Sequence, residues 1–355
     1  MLVVHAEAQE RHHPRFFIAR GRVQPCPEVP GRAEMLLAAV RAAGHEVIAP
    51  TADHGPGPRA AVHTARYLDF LATAHERWLA LPDPSPEIVP NVHPGPNMDR
   101  YPAHVVGQAG WHQADTACPI GARTFEAACA AANAAVHAAE LVLADRERGV
   151  YALCRPPGHH AYAARAGGFC FLNNSAIAAQ RLVERTGGER VAVLDVDIHH
   201  GNGTQGIFYG RGDVLTVSIH ADPAAFYPFF CGYADERGEG AGAGANLNLP
   251  LARGTDDAGY LEALDRALEA VRAFRPAALV VALGLDAYGG DPLAFLDVTT
   301  PGFAEIGRRI AGLGLPTVLV HEGGYVCDAL GDNLASFLGG FEDRSAAAPR
   351  SCIFS

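Results

Sequence analysis

At 355 residues the chain has room for one large α/β domain or two ordinary ones, and 49% hydrophobic residues with a mean hydropathy of +0.04 describe a soluble globular protein with a sizeable core. A net charge of −11 argues against non-specific nucleic-acid binding and suits a cationic substrate, and no apolar run is long enough to span a bilayer. All 28 basic residues are arginine, which excludes chemistry built on a Schiff-base lysine or a phosphate-loop lysine.

Residues 2–5 are predicted as a short strand, followed to residue 31 by a polar, proline-bearing loop. Residues 32–43 have helical apolar spacing and stop at Gly44; 46–49 read as a strand, and the Pro/Gly-rich stretch to Arg59 as a loop. An amphipathic helix or pair of helices covers 62–79. From 81 to 121 prolines, glycines and histidines recur without periodicity. A loop of that length inside a compact domain is uncommon and usually functional, a passive surface insertion being the alternative. Residues 124–144, alanine-rich and free of glycine and proline, are strongly helical.

Strands and helices then alternate. Strands are expected at 151–154, 191–196, 213–219, 277–283 and 316–320, and helices at 174–186, 203–209, 257–274, 301–313 and 330–338, with a long glycine-rich loop over 221–249. Aliphatic runs separated by helices imply a predominantly parallel central sheet covered by helices on both faces, an α/β three-layer architecture. No linker or repeat divides the chain, so one domain over 1–355 is expected, with a loop insertion at about 81–121 and a loosely held tail after about 340. The first residues, MLVVHAEAQERHHPRF, lack the basic start and apolar block of a secretory signal. The eight cysteines (26, 118, 129, 154, 170, 231, 327 and 352) show no zinc-ribbon spacing and read as reduced thiols. A cytoplasmic protein is the expectation.

The chemistry concentrates in VAVLDVDIHHGNG at 191–203. Side chains alternate along an extended chain, so Asp195, Asp197 and His199 point one way, and Asp197 and His199 can reach one cation together. The alternative is a buried Asp–His pair that only secures the turn. Ligands of open α/β sheets bind beyond the carboxyl ends of the strands, and each of the five strands named above is followed there by polar groups: His159 and His160; Asp197, His199 and Asn202; His220; Asp286; Glu322 and Tyr325. Asp197, His199 and Asp286 make a two-carboxylate, one-imidazole metal set with an open position, suited to zinc, iron(II), manganese or cobalt. His159 and His160, after a rigid Pro-Pro-Gly corner, suit acid/base chemistry. Asp195 and Asn202 are natural hydrogen-bond partners for these imidazoles, and Tyr325 could donate its hydroxyl to a developing oxyanion.

RPPGHHA, GGFCFLNN, VLDVDIHHGNGTQ, ALGLDAYGGDPL and HEGGY, in this order, resemble the signature blocks of the histone deacetylase and acetylpolyamine amidohydrolase superfamily, with bacterial acetylpolyamine amidohydrolases the nearest subgroup. The resemblance implies an arginase-deacetylase fold and a zinc-dependent deacetylase acting on N-acetylated amines. It places zinc on Asp197, His199 and Asp286, makes His160 the general base and acid with His159 as electrostatic partner, and makes Tyr325 the carbonyl-polarising hydroxyl. Phe169 and Tyr227 would wall a narrow substrate tunnel, and the Gly168 carbonyl would accept the substrate amide N–H. A structural potassium ion is implied beside Asp195, Asp197, His199 and the 218–219 segment, and a homodimer through the 81–121 insertion. The family's polyamine enzymes carry acidic residues in that insertion. This chain has Val106 at one such position, leaving Asp115 as the candidate acidic group for the substrate. The rival readings are a protein-lysine deacetylase or broad deacylase and, from another class, a catalytically idle protein that binds acetylated ligands.

Overall fold

The computed structural model describes residues 1–144 and 148–343. In chain order the elements are β1 (Leu2–Val4), β2 (Phe16–Ala19), β3 (Arg22–Pro25), α1 (Gly31–Ala42), β4 (Glu46–Ile48), α2 (Gly57–Ala60), α3 (Ala65–Leu79), α4 (Val105–His112), α5 (Thr124–Leu143) and β5 (Gly149–Ala152). They continue with α6 (Asn174–Arg185), β6 (Val191–Asp195), α7 (Asn202–Phe208), β7 (Val214–Ala221), β8 (Asn246–Leu251), α8 (Asp257–Phe274), β9 (Ala278–Leu283), α9 (Thr300–Ala311), β10 (Thr317–His321) and α10 (Leu330–Glu342). The tail expected to be loosely held lies, from residue 344, outside the described residues.

Eight strands form one sheet in the order β4-β1-β5-β10-β9-β6-β7-β8, and every adjacent pair in it runs parallel. The strands are continuous aliphatic runs because both faces are covered. Val191 and Val193 of β6 face one core with α3, α5 and α6, and Ala192 and Leu194 face the other with α1, α8, α9 and α10. Burying one such aliphatic side chain is worth about 1.5–3 kcal/mol, so the two faces together fix the pleat of each strand. Helix starts are set by local caps: Thr64, Asn173, Asp256 and Thr299 each accept a backbone N–H from the first turn of α3, α6, α8 and α9.

To the elements the sequence predicts, the structure adds the β2–β3 hairpin, the single-turn α2 within the Pro/Gly-rich loop, α4 and β8. The stretch before α1 holds the antiparallel β2–β3 hairpin, closed by Arg20 and Gly21 at φ +51° and +72°. The insertion contains α4, hidden from a propensity reading by Gly107 and Gly110. At Gly110 a Cβ would lie 1.7 Å from the Val92 carbonyl oxygen, so the neighbouring chain, not helix preference, requires the glycine. β8 lies inside a stretch mostly read as loop. Its Asn246 and Asn248 face polar partners on Gln205 while Leu247 and Leu249 pack on the core, and Pro250 is tolerated because the strand is at the sheet edge.

Candidate active site

The strands whose ends carry the polar groups, β5, β10, β9, β6 and β7, are consecutive neighbours in the sheet. Parallel pairing puts all their carboxyl ends on one edge, and the groups following them converge there. Asp197 and His199 leave β6, Asp286 follows β9, His159 and His160 follow β5, and Tyr325 follows β10.

Asp197, His199 and Asp286 come together. Each offers a ligand atom within 4.8 Å of the others, and all three are buried, at 0%, 8% and 0% exposure. His199 Nδ1 lies 3.1 Å from Asp197 Oδ1 and 3.1 Å from Asp286 Oδ2. Backbone N–H groups of His199, Gly323 and Ile198 hold the two carboxylates in place, and the single His199 Nδ1 between them cannot neutralise two buried negative charges. Ligand atoms on a tetrahedral zinc stand roughly 3.3 Å apart, from bond lengths of about 2.0–2.1 Å, and the observed spacing is close to that. The donor set therefore fits a divalent cation. The cradle is tight: a Cβ on Gly323 would sit 2.2 Å from Asp286 Oδ2 and 2.4 Å from Asp197 Oδ2. Burial works against a charged imidazole at His199, but the two carboxylates outweigh it and raise its pKa to about 9. These are the electrostatics of a site waiting for positive charge.

The two histidines of the Pro-Pro-Gly corner are buried beside this centre, their rings 4.0 Å apart. His159 Nδ1 donates to Asp195 Oδ2 at 2.9 Å, and His160 Nδ1 donates to Asn202 Oδ1 at 2.6 Å. With Nδ1 engaged as donor, Nε2 of His160 keeps its lone pair. The pair is polarised in opposite directions. For His159, burial is overcome by the Asp195 and Asp197 carboxylates, which hold the imidazole well above its usual range. For His160, burial and the neighbouring His159 and His199 hold it well below. Two titratable groups pushed apart in this way are typical of acid/base sites. Tyr325 is buried, edge-on to Phe169 with ring centroids 6.0 Å apart. Burial pushes its phenol well above the ordinary value, against the pull of Arg32, so it stands as a neutral O–H donor.

Around the centre, Gly168 and Phe169 occupy left-handed backbone at φ +50° and +68°. A Cβ on Gly168 would collide with His160 Cδ2 at 2.3 Å, so the loop needs glycine to lie this close. Tyr227 meets His160 edge-on at 5.0 Å, and Phe226 stacks on His199 at 5.0 Å. Asp115, read from the sequence as an acidic group for the substrate, has both oxygens engaged within the protein. Its Oδ2 accepts the Tyr227 hydroxyl at 2.6 Å and the Gly168 N–H at 3.0 Å, and its Oδ1 accepts the Ala117 N–H at 2.8 Å. Val106 is partly buried against the core. The Gly168 carbonyl oxygen is 3.4 Å from the Cys170 thiol.

The family model described as the histone deacetylase domain matches residues 26–341. The chain belongs to the histone deacetylase family. It is 50% identical over 343 residues to the acetylpolyamine amidohydrolase of Burkholderia pseudomallei, covering 96% of this chain and 98% of that one. Acetylpolyamine amidohydrolase 1 of Pseudomonas aeruginosa is 45% identical over 346 residues, with 96% and 99% covered. A crystal structure of acetylpolyamine aminohydrolase from Burkholderia pseudomallei superposes with a TM-score of 0.92 at 48% identity, covering 98% of this chain and all of that one. The sheet described above is thus the arginase-deacetylase fold.

This member of the histone deacetylase family also holds groups to which the sequence assigned no role. The hairpin brings Phe17 edge-on to Phe169 at 5.6 Å, so an unassigned N-terminal stretch packs beside the centre. Arg32 of α1 lies 4.9 Å above the Tyr325 ring and donates to the Gly324 carbonyl at 2.6 Å. A second set, His159, Cys170 and Glu322, also lies within 4.8 Å. It is a poor cation site. His159 Nδ1 and both Glu322 oxygens already have partners, and burial pushes the Cys170 thiol well up, away from the thiolate a metal needs. The apolar run Phe16–Ala19 is the local signal that could have revealed the hairpin; the contacts of Arg32 with Gly324 and His321, and those of Glu322 with Gly158 and Ser175, are non-local. Among the described residues no helix is long and apolar enough to cross a membrane.

Proposed function

We propose that this histone deacetylase domain is a zinc-dependent amidohydrolase that removes acetyl groups from small N-acetylated amines, acetylpolyamines foremost. The observation that carries the reading is the convergence of Asp197, His199 and Asp286 on one edge of the sheet, beside a neutral imidazole and a buried phenol. Likeness at 50% identity to an acetylpolyamine amidohydrolase supports the substrate class. Asp197, His199 and Asp286 would hold the cation, which would supply Lewis-acid polarisation of the amide carbonyl and a more acidic water. His160 Nε2 takes the proton of the attacking water, and the Tyr325 hydroxyl donates to the oxyanion as the carbonyl carbon becomes tetrahedral. His160 then returns the proton to the departing amine nitrogen. Asp195 keeps His159 cationic alongside, and Asn202 holds His160 in the productive tautomer. Phe169 and Tyr227 wall the narrow substrate tunnel, and the Gly168 carbonyl accepts the substrate amide N–H.

Tyr325→Phe is expected to lower kcat by roughly 10²–10³, the usual cost of one oxyanion donor, in a folded, metal-binding protein. Near-wild-type turnover would remove Tyr325 from the scheme. The substrate class is tested by a panel on zinc- and iron-loaded protein, comparing N-acetylputrescine and N-acetylcadaverine with an acetyl-lysine peptide. Preference for the peptide would replace the polyamine reading with that of a protein-lysine or broad deacylase, a reading that Val106 and the engaged Asp115 carboxylate favour. No turnover of any amide by metallated protein would leave the idle binder.

The same proposal includes one catalytic domain and a potassium ion near Asp195 and Ser218, which are paired in register across β6 and β7. It includes a homodimer through the insertion, whose Val92 and Met98 are 53% and 64% exposed. Cytoplasmic residence is supported by free cysteines among the described residues, and lack of nucleic-acid binding by the net charge of −11.

A further inference from the structure

β10 ends at His321, and Glu322 is the next residue, 0% exposed. A carboxylate taken wholly out of water is costly unless its oxygens are hydrogen-bonded. Here Oε2 accepts the backbone N–H of Gly158 at 2.6 Å and of His159 at 3.0 Å, and Oε1 accepts the Ser175 hydroxyl at 2.6 Å. Two successive N–H groups aimed at one oxygen make an anion-binding nest, so the shape of the 158–160 turn and the Glu322 carboxylate define each other. The turn has little freedom on its far side. A Cβ on Gly158 would lie 2.4 Å from the Asn174 nitrogen and 2.8 Å from the Leu172 oxygen, so it is pressed against the start of α6, which supplies Ser175.

The backbone of Glu322 is held as firmly. Its N–H donates to the Leu283 carbonyl at 2.9 Å, and its own carbonyl accepts the Arg32 guanidinium at 2.6 Å. The following Gly323 N–H donates to Asp197 Oδ2 at 2.7 Å. Three residues on from Glu322 stands Tyr325. One buried side chain therefore fastens the turn that carries His159 and His160 to the turn that carries Tyr325.

The geometry points to Glu322 as the positioning residue that sets His160 and Tyr325 relative to each other, an inference resting on the reading that these two carry the reaction. Glu322 touches no reacting atom; it acts through the backbone of both turns. Misplacement by about 1 Å of a group that transfers a proton costs on the order of 10²-fold, so small displacements of either turn register in turnover and not in substrate affinity.

The test measures kcat and KM for N-acetylputrescine, N-acetylcadaverine and an acetyl-lysine peptide on zinc-loaded variants. Glu322→Ala is expected to lower kcat by about 10²-fold with KM nearly unchanged. Glu322→Gln is expected to recover most of that loss, because its amide oxygen accepts both N–H groups and the Ser175 hydroxyl turns to accept from the amide nitrogen. Combined with His160→Ala, Glu322→Ala should cost much less than it does alone, leaving only the part that acts through Tyr325, since residues acting as a unit are non-additive. Wild-type kcat in Glu322→Ala, a loss confined to KM, or losses that multiply in the double variant would each overturn the inference. Should the alanine variant not fold, Glu322→Asp, which keeps the charge but withdraws the oxygens by one methylene, carries the test; unaltered kcat there overturns it. A fully active His160→Ala would instead overturn the catalytic reading itself, whereas an inactive His160→Ala beside an unimpaired Glu322→Ala overturns only the role of Glu322.

Discussion

His160→Ala is expected to lower kcat by roughly 10²–10⁴-fold, the range for a positioned general acid and base, with KM little changed. The expectation rests on geometry before electrostatics. Nδ1 is committed to Asn202 Oδ1 at 2.6 Å, which leaves Nε2 as the base, in a ring that meets the His199 and Tyr227 rings edge-on. Burial, with the cationic His159 alongside, then holds the ring below the ordinary value of 6.5. A lowered pKa favours the neutral base, so activity should persist as pH falls through 6.5 and decline only at lower pH, where the ring gains its proton. Asn202→Leu should damage turnover less than His160→Ala, since it frees the tautomer without removing the base. A pH–rate profile of kcat/KM and steady-state constants for the variants check this. A mild effect of His160→Ala, or an acid limb centred well above 6.5, would contradict it.

Stripping the protein of metal with a chelator is expected to abolish hydrolysis, and readdition of zinc to restore it. The reason is the arrangement of buried charge: two carboxylates with no exposure meet at one imidazole nitrogen, each 3.1 Å away. A cation there satisfies all three, and because it binds the folded chain alone it also stabilises it, by about 2.7 kcal/mol at a free concentration 100-fold above its Kd. The melting temperature should thus rise with zinc concentration in the wild type and not in Asp286→Ala or His199→Ala. That readout is independent of turnover. Hydrolysis unaffected by chelation, or equal thermal stabilisation of Asp286→Ala, would dispose of the site.

Much of this was legible in the chain. Val191–Asp195 reads as a doubly covered strand because its residues alternate between two helical layers, and every one of them is apolar until the charge at its end. Asp197 and His199 read as co-ligands because adjacency along the chain is preserved in space. Legibility failed where a distant segment overruled local preference. Gly110 breaks the helical pattern of α4 only because Val92 needs the room. Asn246 and Asn248 look like loop residues until Gln205 is brought to them. Asp115 has the charge to greet an ammonium, and nothing along the chain reveals that Tyr227 and Gly168 take its oxygens.

By itself, the sequence determined the parallel α/β class, the strand ends that bear chemistry and the types of group they carry, because hydrophobic periodicity and residue spacing are local properties. Only the tertiary structure decided that β5, β10, β9, β6 and β7 lie side by side, that Tyr227 and Gly168 engage Asp115, and that Glu322 ties two turns together. Strand order and buried hydrogen bonds between remote segments are settled by packing two layers of helices on one sheet. No residue carries that information alone.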